Sequence, residues 1–209
     1  TISRTCNSIS QYMNGDCGAI QLTGAGGQYG SISGAVIRNN MIYDNVGLRS
    51  DIKPAGIKID GGVGPTVIAN NSLRNIAAAC LDTNENSVGI GNFKVYNNAL
   101  YLCNTALVGG QAYIKLNLLT DWVRSNNTYW GDTNGDAIKY RNASGGTVSI
   151  LRDQIISQFE SSAVQQNPQF ISSNNLHLSS LSGLIGRGIN LLSMLSFGND
   201  IDGQARGAN

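Results

Sequence analysis

Apolar and polar residues alternate along this chain in short bursts, and the bursts recur around a pair of asparagines. The pattern reads Val36-Ile37-Arg38-Asn39-Asn40-Met41-Ile42, then Val67-Ile68-Ala69-Asn70-Asn71-Ser72-Leu73. It returns as Phe93-Lys94-Val95-Tyr96-Asn97-Asn98-Ala99-Leu100 and as Trp122-Val123-Arg124-Ser125-Asn126-Asn127-Thr128-Tyr129. Cys6-Asn7-Ser8-Ile9 is a degenerate first copy. With the second asparagine as marker, the copies stand at 7, 40, 71, 98 and 127, in steps of 33, 31, 27 and 29. A second burst follows each marker: Ala19-Ile20-Gln21-Leu22, Gly56-Ile57-Lys58-Ile59-Asp60, Cys80-Leu81-Asp82-Thr83, Thr105-Ala106-Leu107-Val108 and Ala137-Ile138-Lys139-Tyr140-Arg141. Alternation with period two predicts strands with one buried face. A repeat of this length cannot bury its own apolar face, so stacking must close the core. No helical periodicity precedes Leu151, the leucine-rich-repeat pattern is absent, and a propeller blade needs about 40 residues. Coiled parallel strands, with neighbours ~4.8 Å apart, fit the period.

Composition supports frequent turning. The chain of 209 residues carries 26 glycines and 25 asparagines but only 3 prolines, and only 13% of its residues are charged. Asparagine tolerates the left-handed backbone region, so each Asn-Asn pair suits a bend between strands. Its amide can also bond the equivalent asparagine one repeat on, as in cross-β stacks. Asn40, Asn71, Asn98 and Asn127 are therefore expected at equivalent turns of successive repeats. The net charge of +1 gives no general attraction to nucleic acid or to an anionic membrane. No apolar run approaches the roughly 20 residues that span a bilayer. The four cysteines form no C-x-x-C pair and there is one histidine, so a zinc site is not expected. Two disulfides, Cys6–Cys17 and Cys80–Cys103, are expected from proximity within a repeat and between adjacent repeats. They point to an extracellular or periplasmic setting.

After Trp130 the pattern breaks into an excursion to about Gln166, in which Ser149 to Phe159 reads as a short amphipathic helix. Then come Asn167-Pro168-Gln169-Phe170, Leu176-His177-Leu178, Ser182-Gly183-Leu184-Ile185-Gly186-Arg187-Gly188 and Asp200-Ile201-Asp202-Gly203-Gln204-Ala205-Arg206. This order resembles the closing segment of secreted bacterial β-helix proteins, with Asn167 in place of an Asp and Gly183 in place of a Pro. Together with the Asn-Asn repeats it resembles the parallel β-helix superfamily that includes pectate, alginate and chondroitin lyases, epimerases and phage tailspikes. The resemblance implies an all-β, right-handed parallel β-helix (a solenoid) of about five rungs. Residues 1–146 would form the rungs, and 147–209 the helical excursion and C-terminal cap of the same domain. Asp200, Asp202 and Arg206 are then expected in cap ion pairs. No cap is visible at the amino-terminal end. Further rungs or another chain are expected to cover that edge, which makes it a place for self-association.

Stacking the second bursts in register turns Ile20, Ile57, Leu81 and Ile138 inward. It leaves Gln21, Lys58, Asp82, Val108 and Lys139 in one outward column and Thr23, Asp60, Asn84, Gly110 and Arg141 in the next. Lyases of the superfamily resembled here typically use a Lys or Arg to remove the proton α to a uronate carboxylate, acidified by a calcium ion or a second cation. That likeness makes Lys58 and Asp82 the candidate catalytic pair. Asp60, Asn84, Lys139 and Arg141 become candidate glycan contacts, and Ca2+ the one cofactor the chemistry implies. A solvated wall of mixed charge is the competing reading. Tyr43, Tyr96, Tyr101, Tyr129 and Trp130 suit either sugar stacking or a buried aromatic stack. Asp132-Thr133-Asn134-Gly135-Asp136 has oxygen ligands at the first, third and fifth places of a calcium loop. It lacks glycine at the sixth, Ala137, and an acid at the twelfth, Ala143, so it reads as a polar turn and no dedicated metal site is expected. His177 has no nucleophile motif to serve.

Two function classes follow. One is an extracellular carbohydrate-active or carbohydrate-binding protein, lyase-like, with a polysaccharide as partner. The other is a structural or adhesive β-helix, a filament subunit or tailspike-like fragment, without catalysis.

Overall fold

The computed structural model describes residues 2–3, 18–23, 32–46, 54–60, 63–83, 92–106, 112–118, 122–131, 137–194 and 199–205. The chain runs through five passes. The first holds β1 (Ile2–Ser3), β2 (Gly18–Thr23) and β3 (Ala35–Arg38). The second holds β4 (Met41–Asn45), β5 (Ala55–Asp60) and β6 (Thr66–Ala69), and the third β7 (Ser72–Ile76), β8 (Leu81–Asp82) and β9 (Phe93–Tyr96). In the fourth are β10 (Ala99–Cys103), β11 (Ile114–Leu118) and β12 (Trp122–Ser125), and in the fifth β13 (Thr128–Trp130) and β14 (Ile138–Arg141). A last strand, β15 (Thr147–Ile150), follows. Every strand of one pass pairs in parallel with its counterpart in the next. The result is three sheets in the orders β1-β4-β7-β10-β13, β2-β5-β8-β11-β14-β15 and β3-β6-β9-β12, here sheets 1, 2 and 3. Only β15 lies antiparallel to its neighbour. The fold is all-β, with parallel sheets and little helix.

Register aligns like with like, as the period-two pattern requires. Ile42, Leu73, Leu100 and Tyr129 form one fully buried column in sheet 1. Ile57, Leu81, Ile114, Ile138 and Ile150 form another in sheet 2, continued by the partly buried Ile20. Ile37, Ile68 and Val95 line the inner face of sheet 3, beside Phe93 and Trp122 with ring centroids 4.9 Å apart. Each such side chain stabilises the stack by roughly 1.5–3 kcal/mol on burial.

The corners are left-handed. Asn39, Asn70, Asn97 and Asn126, the first asparagine of each marker, have φ of 55°, 56°, 54° and 56° between sheets 3 and 1. Near the far end of sheet 1 a second left-handed column runs Asp44, Asn75, Leu102 and Gly131, at 53°, 56°, 53° and 102°. Gly131 has a second reason to be glycine: a Cβ there would stand 2.8 Å from the Leu102 nitrogen. The Cys80–Cys103 disulfide links the third pass to the fourth inside the core, with Cα atoms 5.5 Å apart, as expected. Closing that loop stabilises by about 3 kcal/mol. Cys6 and Cys17 lie outside the described residues.

Two element assignments need correcting. The fourth strand of sheet 2 is Ile114–Leu118, not the burst at Thr105–Val108. Thr105 and Ala106 form a turn after β10, their N–H groups donating to the carbonyls of Ile76 and Ala77. The helix expected over Ser149 to Phe159 is mostly something else. Thr147–Ile150 extends sheet 2 across the boundary drawn at 146/147, and a 3-10 turn at Arg152–Gln154 leads into a single helical turn, α1 (Ile155–Gln158). Val148 and Ile150 alternate with polar residues, which a flat strand satisfies once β14 is there to pair with. Ile150, Ile155 and Phe159 then close the bottom of the core, while Leu151 and Ile156 stay exposed. At the other end, no described strand lies beyond β1, β2 or β3.

Candidate functional site

Sheet 2 brings the predicted charged residues together. Pairing of β2, β5, β8, β11 and β14 sets Gln21, Lys58, Asp82, Lys115, Lys139 and then Ser149 in one row on the face opposite Ile57 and Ile138. Lys58 and Asp82 are register partners on adjacent strands, the adjacency expected of a functional pair. Their setting differs from expectation: neither enters the core, yet Lys58 is only 3% exposed and Asp82 only 7%. Holding such groups away from water is costly unless charge and hydrogen bonds compensate them. The Lys58 ammonium lies 3.9 Å from Asp60. Asp60 in turn accepts a hydrogen bond from the Gln21 amide at 3.2 Å.

The row is also more basic than the sequence reading allowed. Val108 was placed in its fourth position, but Lys115 stands there, between Asp82 and Lys139. The signal was in the chain, since Ile114-Lys115-Leu116-Asn117 repeats the alternation of Ile57-Lys58-Ile59-Asp60. A nearer, weaker burst at Thr105 masked it. In the neighbouring row Thr23 pairs with Asp60, and Arg141 pairs with Leu118 because β11 carries a bulge after Leu116. Lys115, Lys139 and Arg141 are half-buried and Gln21 is exposed. Asn84, Gly110 and the polar turn at 132–136 lie outside the described residues. Among the described residues no cluster of three or more His, Cys, Asp or Glu is placed to hold a metal.

A second polar assembly was only half foreseen. The inner asparagines form a ladder through the stack: the Asn40 N–H and Nδ2 both donate to Asn71 Oδ1, at 3.0 and 2.9 Å. Asn71 repeats this on Asn98, and Asn98 on Asn127, at the same distances. The second Nδ2 hydrogens of Asn71, Asn98 and Asn127 go to carbonyls of the preceding pass, on Ile37, Ile68 and Val95, and that of Asn40 goes to the Arg38 carbonyl. The ladder ends on Glu160. Its carboxylate accepts the Asn127 N–H at 2.8 Å, Asn127 Nδ2 at 3.0 Å and the Tyr129 hydroxyl at 2.7 Å. Ser162 and Val164 complete the imitation of a further pass. Ser162 Oγ accepts the Asn126 N–H, and the Val164 N–H donates to the Asn127 carbonyl. Glu160 follows Asn127 by 33 residues, one more step of the same period, but a lone glutamate carries no asparagine signature.

Burial pushes the Glu160 carboxyl above its ordinary range, against its three donors and the Arg124 guanidinium. It likewise raises the Tyr129 hydroxyl well above normal, with Glu160 adding to the shift, and lowers Arg124. Arg124 is anchored by its Nε on the Phe159 carbonyl at 2.6 Å and lies over the Phe159 ring at 4.2 Å. Asn127, Tyr129 and Glu160 are buried, so this assembly serves as the end of the core.

A cleft of about 470 Å³ runs between the outer asparagines Asn39, Asn70, Asn97 and Asn126 and the C-terminal segment. Tail backbone occupies much of its polar wall, through Asn126 to Arg187 and Asn97 to Ile189, so the cleft is a seam between stack and tail. Of the aromatic candidates, Tyr129 is core and Tyr96 is buried beside Leu191. Tyr101 meets Phe170 edge-on, and the Arg152 guanidinium lies 5.6 Å from the Trp130 ring centre. His177 Nε2 pairs with Asp202 at 2.7 Å, and Asp200 accepts the N–H groups of Asp202 and Gln204, so these residues tie the closing turn together. Arg206 lies outside the described residues. No family model, curated protein or solved structure matches this chain.

Proposed function

We propose that the stack is a right-handed parallel β-helix of an extracellular or periplasmic protein, and that sheet 2 is its glycan-contacting face. The observation that carries this reading is the register row Lys58, Asp82, Lys115 and Lys139, flanked by Asp60 and Arg141. Parallel sheets whose neighbours are all one pass apart favour the helical coil, and the buried Cys80–Cys103 disulfide favours an oxidising compartment. Charged and amide side chains on a sheet face suit the hydroxyl and carboxylate groups of a polysaccharide. Binding is favoured over lyase turnover. A general base must reach the proton it removes, and Lys58 is shielded with Asp82 beside it. Lys115, Lys139 and Arg141 form the accessible part of the face. Calcium enters only with the lyase form of the reading, where Asp60 and Asp82 would be its nearest acids.

A glycan array with the intact protein, followed by titration of any hit against Lys115→Ala, Lys139→Ala and Arg141→Ala, tests this. Loss of binding with unchanged thermal stability is expected. Full affinity in all three variants removes sheet 2 from consideration. An assay for unsaturated uronate products on the same glycan, with Lys58→Ala as control, separates turnover from binding.

The structural or adhesive reading has its own support in the asparagine ladder and in the three strand edges at β1, β2 and β3, beyond which no described strand lies. Ordered polymers in electron micrographs of a protein that binds no glycan would favour it.

A further inference from the structure

In a stack of repeats each unit touches only its neighbours, so stability adds pass by pass and an uncovered end frays first. The C-terminal segment of this chain breaks that locality. Beyond the cap it returns along the outside of the stack toward the first pass. Asn126 Nδ2 donates to the Arg187 carbonyl at 2.6 Å. Asn97 holds the Ile189 residue from both sides, Nδ2 donating to its carbonyl and Oδ1 accepting its N–H, each at 2.9 Å. Leu191 is buried against Ala69 and Tyr96, with Ile189 and Val67 around it. Asn39 Nδ2 then donates to the Asn199 carbonyl at 2.9 Å. These contacts fall at four successive corners of the stack and join residues 61, 92 and 160 positions apart. The approach is close, since a Cβ on Gly188 would stand 3.2 Å from the Asn97 amide. A second arm lies on sheet 1, where Arg74 Nη1 donates to the Ser173 carbonyl at 3.3 Å and Phe170 meets Tyr101. The His177–Asp202 pair joins the two arms.

We propose that residues 187–191 together with Asn199 act as a clamp that couples non-adjacent passes, holding the early passes to the later ones through side chains of the outer asparagine row. Two features make a clamp the physical role of this segment. The contacts are mostly asparagine amide to backbone, so they fix the path of the segment, with Leu191 as its apolar seat. The C-terminal end has its own closure in β15, Phe159 and Glu160, so what the clamp adds is contact with the earlier passes, at Asn39, Val67 and Ala69. Parallel stacks close slowly because their pairings are non-local, and a clamp across every pass makes the last ones cooperative with the first.

Hydrogen exchange read by mass spectrometry on the whole chain tests the clamp. Leu191→Asp places a carboxylate on the apolar seat, and Asn97→Gly removes the two-sided amide while tolerating the left-handed angle. Amides of β3, β4, β6 and β7 should exchange about tenfold faster in Leu191→Asp, with β11 to β14 unchanged, since local opening is set by local stability. Asn97→Gly should move the same amides less. Gly188→Ala, which crowds Asn97, carries the test with it if Leu191→Asp does not fold. Faster exchange confined to residues 184–205 would overturn the proposal, because the tail would then be passive. Equal acceleration through all passes would overturn it too, because the stack would then be one cooperative unit without need of a clamp.

Discussion

In each marker the first asparagine holds φ near 55° and turns its amide outward, where Asn39, Asn97 and Asn126 grip the backbone of the C-terminal segment. The second asparagine, one residue on, turns inward. Asn71, Asn98 and Asn127 are buried, and each amide oxygen takes two donors from the pass before. The same residue type at adjacent positions thus builds two parallel rows with different duties. The difference lies in the backbone. One left-handed residue rotates the chain between sheets 3 and 1, so consecutive side chains leave the corner on opposite sides. The inner row has no water to fall back on, and its bonds cannot be given up without orphaning buried donors. The outer row borders solvent; Asn97 bonds Asn70 within it, and Asn39, Asn97 and Asn126 turn bonding capacity to a tail.

This comparison can be broken at several points. The largest effect should come from Asn98→Ala. It removes the acceptor of both the Asn71 N–H and one Asn71 Nδ2 hydrogen, and the donor to the Ile68 carbonyl. A loss of about 3–5 kcal/mol in urea unfolding is expected, from unsatisfied buried groups at roughly 1–3 kcal/mol each. A loss below that of an outer-row variant would mean that the ladder is incidental.

Next comes the carboxylate that ends the inner row. Because burial raises the Glu160 pKa in the folded protein, the folded state favours its protonated form. Stability from this group is therefore fully present below the unfolded carboxyl pKa and is lost as pH rises through the folded one. Glu160→Gln keeps an acceptor for Asn127 and removes the charge. The stability difference, wild type minus variant, should fall as pH increases from acid toward neutral, and a flat or rising difference would contradict the burial argument. Glu160→Ala, which strands Asn127 and Tyr129, should cost about 2–4 kcal/mol at acid pH, and less as pH rises through the folded Glu160 pKa.

In the outer row Asn97→Gly keeps the left-handed corner and deletes the grip on Ile189 together with the 3.2 Å bond from Asn97 Nδ2 to Asn70 Oδ1. About 1 kcal/mol is expected, the net worth of ordinary hydrogen bonds near solvent. The smallest change concerns the other left-handed column, where Leu102 stands at φ 53° among Asp44, Asn75 and Gly131. Leu102→Asn should raise the thermal midpoint slightly, by less than about 1 kcal/mol in stability, because a branched apolar residue is strained there. A clear loss would show that contacts of Leu102 outweigh its backbone strain.

The markers were legible because asparagine is the one common residue that both accepts a left-handed bend and bonds its own kind across a stack. Their spacing led to the inward columns through Ile57, Leu81 and Ile138 and to the Cys80–Cys103 link. Lys115 was missed because Ile114 stands 11 positions after Cys103, and a poor strand match came before the good one. Glu160 was missed because a ladder can end on any side chain with two good acceptor oxygens, and local pattern does not say which. Ser149 to Phe159 was misjudged because a burst of apolar residues near a chain's last pass has no period of its own until β14 offers it an edge.

What the chain determined by itself was therefore periodic: strand faces, corner positions, the all-β character and the register of the asparagine rows. These follow from local rules of alternation and left-handed tolerance that each repeat states afresh. Only the tertiary structure decided what is said once. It shielded Lys58 and Asp82 on the outer face of sheet 2, placed Lys115 between Asp82 and Lys139, ended the inner ladder on Glu160 and laid the tail along the outer row. Each of these depends on which distant segment meets a given surface. That is fixed by shape and by unsatisfied bonding capacity across the whole stack, quantities no single repeat contains.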